Sequence, residues 1–169
     1  MKIRITLYSI VFFILYVFTY ICPFFTVNGV GPQLLFCGVL ALCMFEKERF
    51  GAIYAIIFGL FADFASGTLF GLNTVFFILL VFACSLLFTK LLTINMLSYY
   101  ICASILLVLT DMLYFLLNIM FSGVSEFGTL LVRITVPKLF ITLPFMFLIY
   151  LIIKAIATKK EWRPYNEEY

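Results

Sequence analysis

Three ionisable side chains lie inside, or just within the end of, long apolar stretches of this sequence: Asp63, Asp111 and Lys138. A charge at membrane depth costs about 2.5–3.5 kcal/mol on insertion scales, so such groups rarely persist without a role or a partner. Two carboxylates and an ammonium in this setting can form an ion pair, a hydrogen-bond clamp, a polar pocket or a proton relay. Which of these they form depends on the helices that position them.

Small residues recur at every fourth position around the first of these acids: Gly51, Ala55, Gly59 and Gly67 flank Asp63. Side chains four residues apart lie nearly above one another on a helix, so the spacing predicts a shallow groove that contains one carboxylate. In lipid, a stripe of small residues lets a second helix approach closely. We therefore expect this small-residue stripe to admit the transmembrane helix of a partner or to serve packing within the membrane.

The residue types that most enzymes need are missing. Histidine is absent, which removes the commonest general base and metal ligand. No GxSxG, Walker A, HExxH or dinucleotide-binding motif occurs. None of the cysteines forms a CxxC pair, and we expect buried apolar side chains at Cys22, Cys37, Cys43, Cys84 and Cys102. The sequence predicts a protein that is not an enzyme, with no cofactor, no metal site and no nucleic-acid partner.

Composition favours a membrane protein. Of the 169 residues, 66% are hydrophobic and 11% are charged, and the mean hydropathy is +1.22. A soluble domain is about half apolar and a quarter charged, so this chain cannot cover itself with a polar surface. We expect an all-α polytopic membrane protein with a single transmembrane domain over residues 1–157. A short charged cytoplasmic tail follows at 158–169.

Six apolar segments predict a bundle of six transmembrane helices. They cover residues 5–25, 30–45, 50–66, 71–89, 97–121 and 136–157. The second is the weakest, because its 16 residues give about 24 Å of helix against about 30 Å of hydrocarbon. A short or partly re-entrant element is an alternative there. A tight turn at 67–71 and a loop at 122–135 are expected between the later helices.

The basic residues predict the orientation of this bundle. With six crossings, one side receives Lys2, Arg4, Lys47, Arg49, Lys90, Lys154, Lys159, Lys160 and Arg163. The other side receives only Arg133 and Lys138. Because cytoplasmic loops carry the excess of Lys and Arg, both termini are expected in the cytoplasm.

Depth along the helices limits which charges can meet. Asp63 lies about three residues from the outer end of its segment, and Lys138 about two residues from the same surface. An Asp63–Lys138 ion pair is one hypothesis. In the alternative, Asp63 caps the turn 66–71 and Lys138 extends its ammonium to surface water.

Asp111 lies about ten residues from the outer end of the fifth segment, near the bilayer centre. Ser104, Asp111 and Asn118 repeat at a spacing of seven and form one polar stripe. This stripe should face the bundle interior, because lipid offers no hydrogen-bond partners. A functional interpretation is a polar pocket, a proton relay or a subunit contact, and a structural one is an interhelical hydrogen-bond clamp. A proton-linked transporter would depend on both acids.

Residues 51–71 resemble the MreD family, the rod shape-determining membrane proteins of bacteria. The resemblance consists of a Gly-x7-Gly-Leu-x2-Asp pattern and a tight Ser-Gly-x3-Gly turn. These motifs are formed by Gly51, Gly59, Leu60, Asp63, Ser66, Gly67 and Gly71. The final segment, with Pro137 before Lys138 and with Pro144, is similar to the proline-containing last span of that family.

The resemblance implies a membrane scaffold in the machinery that inserts lateral cell-wall peptidoglycan. The expected partner is MreC, through its single membrane helix, and indirectly MreB, RodA and its transpeptidase. It marks Gly59, Asp63, Gly67 and Gly71 as the positions that matter, and Asp111 is added on physical grounds. Because the family is similar in fold to the substrate-binding subunits of energy-coupling-factor vitamin transporters, such a subunit is the alternative function.

Overall fold

The computed structural model describes residues 2–21, 26, 30–46, 48–66, 71–90, 95–122 and 127–158. These residues form six α-helices, and a short π-helical turn, Val17–Ile21, continues the first of them. The helices are α1 (Lys2–Tyr16), α2 (Leu34–Phe45), α3 (Glu48–Ser66), α4 (Leu72–Lys90), α5 (Met96–Ser122) and α6 (Phe127–Thr158). The all-α class and the six helices that the apolar pattern predicts are confirmed.

Among the described residues, four helical stretches are long and apolar enough to cross a membrane. They are Arg4–Ile21, Arg49–Ser66, Met96–Leu117 and Arg133–Thr158. Two further apolar helical stretches, Leu34–Phe45 and Leu72–Leu87, are shorter. Length and composition thus indicate a membrane protein, with four candidate spans and two shorter apolar helices in the described part of the chain.

The short helix α2 forms the centre of the bundle. It has 12 residues, or about 18 Å of helix, and it packs against all five other helices. Ten of its residues are buried, so it is apolar around its whole circumference, as expected for a core helix. The hydroxyl of Tyr99 on α5 donates to the Cys37 carbonyl at 3.0 Å. The weak second segment is therefore a short, enclosed helix and does not face lipid.

Helix α2 does not run the full length of the bundle. Beyond its C-terminus, Glu46 pairs with Arg4 near the start of α1. Before its N-terminus, the Gln33 N–H donates to Thr142 Oγ1, 3.4 Å away on α6. Thr142 lies fifteen residues before Ala157, whose carbonyl accepts from Arg4, so α2 extends over only part of the bundle.

The connection between α5 and α6 is much shorter than expected. The predicted loop at 122–135 is wrong, because α5 continues to Ser122 and α6 begins at Phe127. Gly128 and Arg133 thus lie within α6, and the apolar residues between them extend the helix. Pro137 and Pro144 also lie inside α6, where each removes one backbone N–H donor and favours a bend.

Candidate functional site

The small-residue stripe of α3 faces the interior of the bundle. A Cβ added to Gly51 would collide with the Sγ of Cys43 on α2, and Ala55 is fully buried. A Cβ on Gly59 would lie 2.7 Å from the Cα of Thr74 on α4. From Gly51 to Gly59 the stripe is therefore filled by helices of the same chain. The hypothesis that this groove admits a partner helix is wrong, because α2 and α4 already occupy it.

Asp63 caps the N-terminus of α4. Its carboxylate accepts from the Asn73 N–H at 2.8 Å, the Thr74 N–H at 3.2 Å and the Thr74 hydroxyl at 2.6 Å. The first N–H groups of a helix lack partners within the helix and carry a partial positive charge, so a buried carboxylate is well placed there. Asp63 is only 3% exposed. Helix α4 supplies all three donors, which offset the cost of burying the acid.

This arrangement decides between the two hypotheses for Asp63. The Asp63–Lys138 ion pair is wrong, since Lys138 pairs elsewhere. The contacts correspond to the capping alternative, with the helix after the turn as the capped element. Ser66 adds a link at the same end, because its hydroxyl accepts from the Asn73 side-chain amide at 2.9 Å.

Of the two glycines in the predicted turn, the structure describes one, Gly71. Gly71 immediately precedes α4 and has φ of +92°, a conformation that L residues with a Cβ rarely adopt. No heavy atom lies within 4 Å of a Cβ built on it, so the backbone angle alone requires glycine. Gly67 lies outside the described residues.

Asp111 and Lys138 form an ion pair between α5 and α6. The Lys138 Nζ donates to Asp111 Oδ1 at 2.8 Å, and both side chains are largely buried. Asp111 lies eleven residues before the end of α5, and Lys138 lies eleven residues after the start of α6. Because antiparallel neighbours joined by a short connection are matched in depth, the two charges meet about 16 Å from the helix ends. The alternative in which Lys138 extends its ammonium to surface water is therefore wrong.

The surroundings of this pair are polar on the α6 side. The Thr142 hydroxyl donates to the Lys138 carbonyl at 2.6 Å. Thr142 Oγ1 in turn accepts from the Gln33 backbone N–H. Of the predicted polar stripe on α5, Asp111 is buried, Ser104 is half-buried, and the side chain of Asn118 lies outside the described set. The ion pair makes Asp111 part of an interhelical clamp.

A second charged cluster lies at the opposite end of the bundle from Asp63, and the sequence analysis did not predict it. Arg4 on α1 pairs with Glu46 after α2, and Arg4 Nη2 also donates to the Ala157 carbonyl on α6 at 3.3 Å. The Tyr8 hydroxyl donates to the same Glu46 oxygen at 2.8 Å. This cluster joins three helix ends. The only available signal was the position of Tyr8 one helical turn after Arg4.

These polar clusters hold helices together. Within the described ranges, no group of three or more His, Cys, Asp or Glu side chains is placed to hold a metal ion. Cys37, Cys84 and Cys102 are free thiols buried among apolar side chains, and Cys43 is half-buried. The chemistry available at these positions is ion pairing, helix capping and close helix packing.

One concave surface opens between α1 and α3, and we call it the α1–α3 groove. It has a volume of about 580 Å³. Its rim consists of large, exposed apolar side chains: Ile10, Phe13, Ile14, Ile53, Ile57 and Phe61. Ser9 and Tyr54 also line it, with their oxygens 3.0 Å apart. Because Tyr54 donates its own proton to the Ile5 carbonyl, Ser9 is the donor of this pair.

Comparison with known proteins gives the family. The model described as rod shape-determining protein MreD matches residues 1–160. No curated protein and no solved structure matches the chain significantly. The match extends over all six helices, including α1 and α2, for which the motifs offered no specific resemblance. Since it covers far more than half of the sequence, the chain belongs to the MreD family of rod shape-determining proteins.

Proposed function

We propose that this protein is a non-enzymatic scaffold in the cell membrane that binds the transmembrane helix of MreC. Through MreC it associates with MreB, RodA and its transpeptidase in the machinery for cell elongation and peptidoglycan synthesis. The observation that carries the proposal is the family match over residues 1–160. A scaffold role is supported by Asp63 and by the Asp111–Lys138 pair, which are used in contacts between helices.

We place the partner helix in the α1–α3 groove. From Gly51 to Gly59 the small-residue stripe contacts α2 and α4, which favours a different surface for the partner. In a membrane, helices associate by close van der Waals packing and by hydrogen bonds between them. The groove offers apolar ridges on both sides, with Phe13 on α1 and Ile57 on α3 exposed by 61% and 45%. A single helix can lie between these ridges.

Ser9 favours a helix over a lipid chain as the occupant. It is exposed in the groove on an otherwise apolar face of α1. A small hydroxyl residue lets another helix approach, and interhelical hydrogen bonds in membranes contribute about 0.6 kcal/mol on average. Its oxygen keeps acceptor capacity after donating to Tyr54, which an acyl chain cannot use.

The test is co-purification of full-length MreC with the tagged protein from bacterial membranes. Ile57→Trp fills the α1–α3 groove and should reduce the amount of bound MreC. The matched control is Ile105→Trp, since Ile105 is 61% exposed on α5, away from the groove. Both variants should insert to the same level as the wild type.

Two results would contradict different parts of this proposal. If the wild type retains no MreC, the partner is wrong. If Ile57→Trp retains as much MreC as Ile105→Trp, the partner stands and the groove is not its binding surface. Failure of both variants to bind would point to a general effect of tryptophan on the lipid-facing surface and would also remove the support for the groove.

The remaining assignments belong to the same proposal. We assign residues 1–157 to one membrane domain and residues 158–169 to a cytoplasmic tail, with the N-terminus also in the cytoplasm. The alternative of a vitamin-binding transporter subunit gains no support from the family match, and no observation of the structure favours it.

A further inference from the structure

Two buried oxygens near the middle of the bundle lack a hydrogen-bond partner among the described residues. They are Oδ2 of Asp111 and Oγ1 of Thr135. Asp111 is 8% exposed and Thr135 is 3% exposed, so neither oxygen reaches the surface. A buried polar atom without a partner costs about 1–3 kcal/mol, and most such atoms in proteins are satisfied by protein groups or by ordered water.

One of these oxygens belongs to the Asp111–Lys138 ion pair, and the other lies three residues from Lys138 along α6. Thr135 precedes Lys138 by three residues on α6, so both side chains lie on one face of that helix. The Lys138 Nζ already donates to Oδ1 of Asp111, and the second carboxylate oxygen belongs to the same group. Thr135 thus lies one helical turn, about 4.5 Å along the axis, from the lysine whose ammonium contacts Asp111.

The chemistry of these three groups selects the occupant. The ammonium of Lys138 repels a cation, and the carboxylate of Asp111 repels an anion. A neutral molecule that both donates and accepts matches all three, because Oδ2 needs a donor and the ammonium retains N–H groups. A water molecule has this property, and buried waters in proteins make about three hydrogen bonds each.

We propose that an internal water molecule is bound between α5 and α6, donating to Asp111 Oδ2 and hydrogen-bonded to Thr135 Oγ1. The water completes the solvation of the Asp111–Lys138 pair inside the membrane. This inference concerns the interior of the chain and does not depend on the binding of MreC.

The test uses water-edited solid-state NMR on the full chain in lipid bilayers. The sequence contains two aspartates, Asp63 and Asp111, so ¹³C-aspartate labelling by cell-free synthesis gives two carboxylate signals. Magnetisation should pass from water to the Asp111 carboxylate in the wild type. Thr135→Val removes the hydroxyl with little change in volume and should abolish this transfer. The Asp63 signal, from a carboxylate held by α4, serves as a reference in the same spectrum.

The matched control is Thr110→Val. Thr110 lies next to Asp111 on α5, but its hydroxyl donates to the Leu106 carbonyl at 2.6 Å and is not needed for the water site. Transfer to Asp111 should persist in this variant. Thr135→Ser keeps the hydroxyl and should also retain it, which covers the case in which the valine variant does not fold.

Three outcomes would overturn the inference. The first is a folded wild type without water transfer to Asp111. The second is transfer that is equal in the Thr135→Val and Thr110→Val variants, or lost in Thr135→Ser. The third is a high-resolution structure in which a protein donor occupies Asp111 Oδ2.

Discussion

The backbone of α4 touches α3 at Gly59, where an added Cβ would lie 2.7 Å from the Cα of Thr74. The same Thr74 donates its N–H and its hydroxyl to Asp63, one turn further along α3. Close packing and capping are thus two parts of one contact. The absent side chain at Gly59 lets α4 approach, and the carboxylate of Asp63 holds the end of α4 at that distance.

We predict that Gly59→Ala destabilises the protein. In an open helix this change would stabilise by about 1 kcal/mol, because alanine is the better helix former. Here the new methyl group meets backbone atoms of α4, and overpacking of this kind costs about 1–3 kcal/mol. Steric-trap unfolding in bicelles measures the free energy of unfolding.

The corresponding control uses an exposed small residue of the same helix. Gly59→Leu should be strongly destabilising, whereas Ala65→Leu, at an exposed position of α3, should change the free energy of unfolding little. If the two leucine variants are equally stable, the contact between Gly59 and α4 is not tight in the membrane.

We predict that Asp63→Ala costs more stability than Thr74→Val. The alanine variant leaves three donors at the start of α4 without their acceptor, whereas the valine variant removes one hydroxyl and leaves both N–H contacts. Loss of an N-cap costs about 0.5–2 kcal/mol, and unpaired buried donors add to that cost. Thermal unfolding in detergent checks the order.

Asp63→Asn separates charge from hydrogen bonding. An amide keeps one acceptor oxygen but loses the carboxylate charge that favours a helix N-terminus, so its stability should lie between the wild type and Asp63→Ala. An asparagine variant as stable as the wild type would mean that the charge contributes nothing at this position.

The sequence predicted the membrane class and the number of helices, and it offered helix-end capping as one hypothesis for Asp63, because these depend on local composition and spacing. It could not predict what the small-residue stripe contacts. A stripe such as Gly51, Ala55 and Gly59 favours close approach of any helix, and only the tertiary fold decides that α2 and α4 are the neighbours.

The error at Lys138 has a different physical cause. Polar residues such as Glu126 and Arg133 indicated a loop, and a start of the last helix at residue 136 placed Lys138 near the surface. Helix α6 instead begins at Phe127, which moves Lys138 eleven residues into the helix and to the depth of Asp111. One misplaced boundary therefore changed which acid the lysine could reach.

We predict strong coupling between Asp111 and Lys138 in a double-mutant cycle. Breaking a buried pair on one side leaves an uncompensated charge and costs about 3–5 kcal/mol. Asp111→Leu and Lys138→Met should each destabilise strongly, and the double variant should lose much less than their sum. Steric-trap unfolding of the four proteins gives the coupling energy.

The same cycle with Asp63 provides the control. Asp63→Ala and Lys138→Met should be additive, since Asp63 is bonded to α4 and makes no contact with Lys138. If Lys138 couples to Asp63 as strongly as to Asp111, the result would support the Asp63–Lys138 ion pair of the sequence analysis.

Finally, we predict that both termini face the cytoplasm. The contact from Arg4 to the Ala157 carbonyl brings the start of α1 and the end of α6 to one face of the bundle, which requires an even number of crossings. The excess of basic residues on that face identifies it as cytoplasmic by the positive-inside rule. The short helix α2 is compatible with this count because it is enclosed by protein and need not match the hydrocarbon thickness.

Single cysteines in a cysteine-free background test this orientation. A membrane-impermeant maleimide should label Glu126→Cys, between α5 and α6, in intact spheroplasts. It should label Thr93→Cys, between α4 and α5, only after lysis. The reverse pattern would mean that the orientation is inverted, with both termini outside the cytoplasm. Labelling of both sites from outside would mean that α5 does not cross, and the matched depth of Asp111 and Lys138 would then need another explanation.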